Sequence, residues 1–151
     1  MYLIDNLNLP TGIQRVLLAQ LKYHDRQRYQ PLVVCLFADG AVADKIERLG
    51  VKVIVLRLRK FNLLHYYRLF LLMKLERIDL LFTFPFAANL LGPFIARLAK
   101  VPIVITSWHG LYINRRWWDS LAMRGLAFLA DKIVCVSQAV KEFISAQNGL
   151  K

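Results

Sequence analysis

A chain of 151 residues, 57% of them hydrophobic, is long enough for one domain with a full core. It contains no run of about 20 uninterrupted apolar residues, the length a membrane-spanning helix needs; the nearest, residues 61–75, is broken by Asn62, His65, Arg68 and Lys74. The formal charge of +11, from 21 Lys and Arg against 10 Asp and Glu, calls for anionic partners. With no helix-turn-helix, RNP or zinc-finger pattern, nucleic acid is excluded in favour of nucleotide phosphates or an acidic membrane surface.

Tyr2-Leu3-Ile4 reads as a first strand, too close to Met1 to follow a signal peptide. The loop 5–12 carries Asn, Pro and Gly, and a helix over 13–23 puts Ile13, Val16, Leu17 and Leu21 on its core face. Residues 31–37 form a second strand. Asp39-Gly40 turns into a short helix through Ile46 and Leu49, which Gly50 ends as a C-terminal cap. A third strand is expected over 51–58. The helix that follows, about 62–77, is apolar nearly all the way round, with Leu69, Phe70, Leu71, Leu72, Met73 and Leu75. Such a helix needs cover on more than the one side a sheet provides.

Residues 79–110 are the organising stretch. An apolar run, 80–84, stops at Pro85. A helical pattern follows through Leu90, Leu91, Phe94, Ile95 and Leu98, and a second apolar run, 103–108, ends at His109-Gly110. Strand, helix and strand in about 30 residues make a βαβ unit with parallel strands. A helix is then expected over 115–130, a sixth strand over 132–136 and a last helix over 138–146 with Ser137 as its cap. The sum is an α/β fold: a doubly wound, Rossmann-like parallel sheet of about six strands in the order 3-2-1-4-5-6, ligands gathering beyond the carboxyl ends of the strands. No GxGxxG follows the first strand, although Asp39 sits where a ribose-binding acid would. Walker A, HExxH and GxSxG motifs are absent too. Cys35 and Cys135 lie far apart in apolar runs and read as buried thiols in a reducing cytoplasm, not as a disulfide or metal site.

The residues resemble the N-terminal domain of the family 4 glycosyltransferases, whose GT-B fold faces two Rossmann-like domains across a cleft. The marks are Thr11-Gly12-Ile13-Gln14-Arg15-Val16, Ala88-Asn89-Leu90-Leu91-Gly92, His109-Gly110 at a strand end, and Asp131-Lys132-Ile133-Val134-Cys135-Val136-Ser137. Thr11 stands where the family often has the first of two glycines, and Phe82, Phe84 and Ala87 where it often has histidines. The resemblance covers all of 1–151 and implies an acceptor-side domain without the C-terminal domain that holds the nucleotide and paired glutamates. It further implies a retaining hexosyl transfer, in polysaccharide biosynthesis, from a nucleotide-sugar to a glycan or lipid-linked acceptor. No metal or other cofactor takes part, and the chain alone is expected to be inactive. The alternative is a non-catalytic Rossmann-like module that binds an anionic ligand or a membrane.

Of the individual residues, the resemblance assigns His109 to positioning the donor sugar near the reacting carbon. Gly12, with Thr11, offers helix-terminal amides to a phosphate or sugar, and Arg15, Asn89 and Ser137 are further candidate substrate contacts. Two basic groups border apolar surface: Arg57, Arg59, Lys60, Arg68, Lys74 and Arg77 around the over-apolar helix, and Arg115-Arg116-Trp117-Trp118. They point to peripheral contact with an anionic membrane, on its cytoplasmic face.

Overall fold

In the computed structural model, which describes residues 1–58, 63–110 and 128–148, the described strands join into one all-parallel sheet. They are β1 (Tyr2–Asn6), β2 (Leu32–Ala38), β3 (Lys52–Val55), β4 (Leu80–Phe84), β5 (Ile103–Trp108) and β6 (Lys132–Cys135), in the spatial order β3-β2-β1-β4-β5-β6. The helices are α1 (Gly12–Tyr23), α2 (Ala41–Arg48), α3 (Leu63–Leu75), α4 (Phe86–Leu98) and α5 (Gln138–Asn148). This is the doubly wound, Rossmann-like order expected from the sequence.

Alternation along the strands makes two cores, one per face of the sheet. Leu3, Val34, Leu36, Leu81 and Val104 point to the side of α3 and α4, where they meet Leu69, Met73, Ala88 and Ile95. Ile4, Val33, Cys35 and Phe84 point the other way, toward Leu17 and Leu21 of α1 and Val42 and Ile46 of α2. Gly50 closes α2 at φ 76°, with its N–H on the carbonyl of Glu47 at 2.8 Å, as a left-handed C-terminal cap should. Cys35 is buried and Cys135 half-buried; four strand spacings of about 4.8 Å separate β2 from β6, far beyond a disulfide's reach.

Two expectations need correction. The third strand ends at Val55, three residues early, because Arg57 takes a left-handed conformation (φ 50°) that breaks the extended run. In α1 the inward position falls to Gln14, while Val16 is exposed. Gln14 is satisfied there, donating from Nε2 to the carbonyl of Asn6 at 2.9 Å and meeting the hydroxyl of Thr11. The helix expected over 115–130 falls mostly outside the described residues; its last three, 128–130, lie in the turn into β6.

The helix expected from the apolar spacing of 90–98 is α4. Of its apolar stripe, Phe94 and Leu98 face outward, and the face on the sheet carries Ile95 with the small residues Ala88, Gly92 and Ala96. Gly92 sets that closeness: a Cβ there would stand 2.8 Å from Cγ2 of Thr83 and 2.9 Å from Cδ2 of Leu3. Farther along α4, Arg97 pairs with Asp131 at 2.7 Å. The other oxygen of Asp131 accepts the N–H of Val104 at 2.7 Å, fixing the entry to β6. Replacing Gly92 by Val is expected to cost about 2–3 kcal/mol of stability through overpacking, more than the fraction of a kcal/mol that leaving glycine returns to a helix. Chemical denaturation checks this; a variant as stable as the parent would show that α4 can lift from the sheet freely.

Candidate functional site

The strand order reverses between β1 and β4, and two helices begin beyond that reversal, α1 on one face and α4 on the other. Each offers the positive end of its dipole and unpaired N–H groups to the rim. The two ends are treated differently. At α4, Asp5 reaches across from β1 and accepts the N–H of Ala88 on Oδ1 at 2.8 Å and that of Ala87 on Oδ2 at 3.1 Å. Burial pushes the Asp5 carboxyl up, and these two hydrogen bonds pull it back. The anion position of α4 is therefore filled from within the chain.

At α1 the position is open. The first intrahelical bond runs from Arg15 N to the carbonyl of Thr11 at 3.0 Å, and Thr11 caps nothing with its side chain. That leaves the N–H groups of Gly12, Ile13 and Gln14 facing the rim without a partner among the described residues. The loop before them is rigidly seated: Leu7 is fully buried, its N–H bonds Ala38 at 2.9 Å, and its carbonyl accepts from Val42 at 3.3 Å.

His109 follows β5 at the same end of the sheet. Its Nε2 lies 2.6 Å from Oγ of Ser107, and its ring rests on Phe84 with centroids 5.3 Å apart. Half-burial lowers its pKa below the ordinary histidine value, so the ring is neutral at pH 7. A neutral imidazole with one nitrogen on a hydroxyl can give or take a hydrogen bond with the other. Asn89 stands behind this group, 3% exposed, with its Nδ2 on the carbonyl of Ser107 at 2.8 Å and its Oδ1 on the hydroxyl of Thr83. Its amide is spent within the fold: instead of capping α4 or reaching into solvent, it ties α4 to the carboxyl ends of β4 and β5. Ser137 caps α5 as expected, accepting the N–H of Val140 at 3.3 Å, and is exposed at the end of β6. Arg15 is exposed on α1, and Asp39 pairs with Arg57 at 3.4 Å.

The glycines separate framework from site. Gly40 is held against Cα of Asn8, where a Cβ would stand at 2.7 Å, Gly50 needs its positive φ, and Gly92 needs its close approach. Gly12 and Gly110 have neither reason: φ is not positive and a Cβ would meet nothing within 4 Å. Both stand at the rim, beside open space among the described residues. Of the basic candidates, Arg57 lies past the end of β3, Arg68 and Lys74 project from α3, and Arg77 lies past its far end at φ 47°. Arg59, Lys60, Arg115, Arg116, Trp117 and Trp118 lie outside the described residues. Among the described residues no group of three His, Cys, Asp or Glu stands together as a metal site would require, and no helix is long and apolar enough to cross a membrane. Sequence reasoning passed over Asp5, Thr83 and Ser107, all polar residues at or just before the carboxyl end of an otherwise apolar strand, which is the signal that marks them.

The family model for Glycosyltransferase Family 4 matches residues 10–151. Among solved structures, the chain resembles the crystal structure of Anabaena Alr3699/HepE in complex with UDP, with a TM-score of 0.78 at 20% sequence identity. That match covers 97% of this chain and 40% of the HepE chain, so the chain spans less than half the length of the protein it resembles. No curated protein sequence matches it. On the family match, this chain belongs to Glycosyltransferase Family 4.

Proposed function

We propose that the chain is the acceptor-side domain of a glycosyltransferase that moves a sugar, with retention, from a nucleotide-sugar to a glycan or lipid-linked acceptor, in the cytoplasm at the inner face of the membrane. The observation that carries this reading is the rim itself: an unfilled helix N-terminus at Gly12–Gln14 and a neutral His109 open at the same end of the sheet. Family membership and a UDP-bound structural neighbour support it. In this reading the amides of α1 receive a phosphate or a sugar hydroxyl, with Thr11 and Arg15 beside them. His109 directs its second ring nitrogen at the donor sugar, and Ser137 borders the rim at the head of α5. Asn89 holds the frame on which His109 and Ser107 stand.

The chemistry asked of these residues is positioning and charge stabilisation. Backbone amides stabilise the negative charge that develops on a departing phosphate, needing no metal or other cofactor and little reorganisation at the moment of reaction. The histidine adds a hydrogen bond without adding charge. Because its pKa is lowered, the neutral form persists to lower pH than that of a free histidine, so acid should impair this contact only below the ordinary histidine range. Stability follows the same sign: protonating His109 is harder in the folded state, so its contribution is present at neutral pH and lost as pH falls through its folded pKa.

Three outcomes are expected. An NMR titration of the 151-residue chain, with the His109 signal assigned by its loss in His109→Gln, should give a pKa below the ordinary value of about 6.5; a value at or above that would remove the half-buried imidazole from the account. In a full-length enzyme carrying this domain, His109→Ala should lower kcat/KM by roughly ten- to a thousandfold, the range for one positioned polar group in the transition state. Unchanged kinetics in a folded variant would make His109 a structural residue. The 151-residue chain on its own should transfer no sugar, since it supplies one wall of a site that must fix two substrates in reacting geometry. Turnover of a nucleotide-sugar by this chain would overturn the division of labour, whereas phosphate or acceptor binding without turnover in any context would favour the non-catalytic module.

A further inference from the structure

The crossover helices α3 and α4 carry a surface that the rim does not explain. The core takes Leu69 and Met73 from α3, leaving Leu63 81% and Leu75 78% exposed; from α4, Phe94 and Leu98 are 54% and 58% exposed. Between the two helices runs a groove of about 600 Å³, walled by Tyr66, Phe70, Leu91 and Ile95 with Phe94 and Leu98 at its lip. Contiguous apolar surface of this kind marks a docking site. Neither helix contains an acidic residue. On the helices and just past α4 the charged side chains are Arg68 and Lys74, exposed on α3, Arg97, which is paired with Asp131, and Lys100, exposed; past the far end of α3 lie Arg77 and Asp79, also exposed. Glu76 just beyond α3 is spent on Lys52 at 2.8 Å.

We propose that the α3/α4 face docks on an anionic lipid bilayer, its groove taking acyl chains while Arg68, Lys74 and Lys100 lie at headgroup level. Charge decides the occupant. A second copy would bring the same cations face to face across a low-dielectric contact, which is destabilising. An acidic leaflet supplies the opposite sign together with the hydrocarbon that Leu63, Phe94 and Leu98 need, and each nearby Lys or Arg adds to the attraction. Tyr66 and Tyr67, with apolar rings and polar tips, suit the boundary between the two. The face narrows the wider basic region read from the sequence: Arg57 is engaged with Asp39, and Arg77 lies past the far end of α3. The inference deepens the membrane location proposed above but needs no sugar transfer, so the isolated chain tests it apart from catalysis.

The test is co-sedimentation of the 151-residue chain with phosphatidylcholine vesicles, with and without about a third phosphatidylglycerol. A chain this basic meets any anionic surface, so the decisive comparison is between charge-matched double variants, Leu63→Glu/Phe94→Glu on the face and Tyr23→Glu/Tyr29→Glu away from it, all at exposed positions. Binding to the anionic vesicles alone is expected, weakened about tenfold more by the first pair than by the second and reduced by salt. Arg68→Glu/Lys74→Glu, which removes no apolar contact, should also weaken it. Equal binding to both vesicles, no binding to either, or equal effects of the two Glu pairs would overturn the proposal. So would a concentration-dependent dimer that Leu63→Glu/Phe94→Glu splits, which would make the face a contact between copies.

Discussion

The carboxylate of Asp5 joins the first strand to a helix 82 and 83 residues later, and much of the architecture depends on that junction. A half-buried carboxylate must be compensated, and two N–H donors at a helix N-terminus do this well against the desolvation that raises its pKa. The bond geometry holds the first turn of α4 at the carboxyl end of β1. From there α4 must descend across Leu3 and Thr83, and only a small-residue face can lie that close. Gly92 is the consequence, and so is the outward turn of Phe94 and Leu98.

The same junction decides the electrostatics of the rim. Two helix N-termini flank the topological switch point, and a ligand anion would find both attractive if both were empty. Asp5 occupies one and places a negative charge beside it, so an anion is directed toward α1. Asp39, another carboxylate near this end of the sheet, is paired with Arg57, and Asp44 sits in the first turn of α2. His109 adds no charge. The rim thus combines one localised region of positive potential, made of backbone, with a neutral hydrogen-bonding side chain, an arrangement that separates binding of a negative group from contact with a neutral one.

The strands and their order were legible because a parallel sheet covered on both faces writes long apolar runs, and 80–84 and 103–108 are such runs. The final helix was legible from Ser137 and the second from Gly50, since both caps act on their neighbours in sequence. Helix phase was less legible. In α4 the apolar spacing marked a helix but not its inner face: Ile95 goes inside with Ala88, Gly92 and Ala96, because a closely approached strand favours small residues, while Phe94 and Leu98 stay out. In α1, Gln14 displaces Val16 from the interior because the carbonyl of Asn6 and the hydroxyl of Thr11 give its amide partners there, which periodicity cannot show. Asp5 escaped notice for a related reason: its partners lie on another element. His109 and Gly12 were singled out by resemblance, and what the structure adds is that neither the backbone nor the packing requires glycine at 12.

The two proposed surfaces also constrain each other through the topology. Residue 63 opens α3 beyond the carboxyl end of β3, so Leu63 lies at the rim end of the helix, and Leu75 about 18 Å away at the other, at 1.5 Å per residue. A protein resting on α3 and α4 would hold its strands along the membrane plane, with the rim opening sideways rather than toward the lipid. A headgroup at the level of Leu63 would then stand about one helix layer, roughly 10 Å, from the plane of the sheet. An acceptor that stays anchored by its lipid reaches the rim at that distance with a short polar head, whereas a long free glycan needs no such placement. The groove and the rim are therefore informative about each other: lipid docking on α3 and α4 argues for a lipid-linked acceptor, because it puts the open end of the sheet within reach of the membrane surface and no deeper.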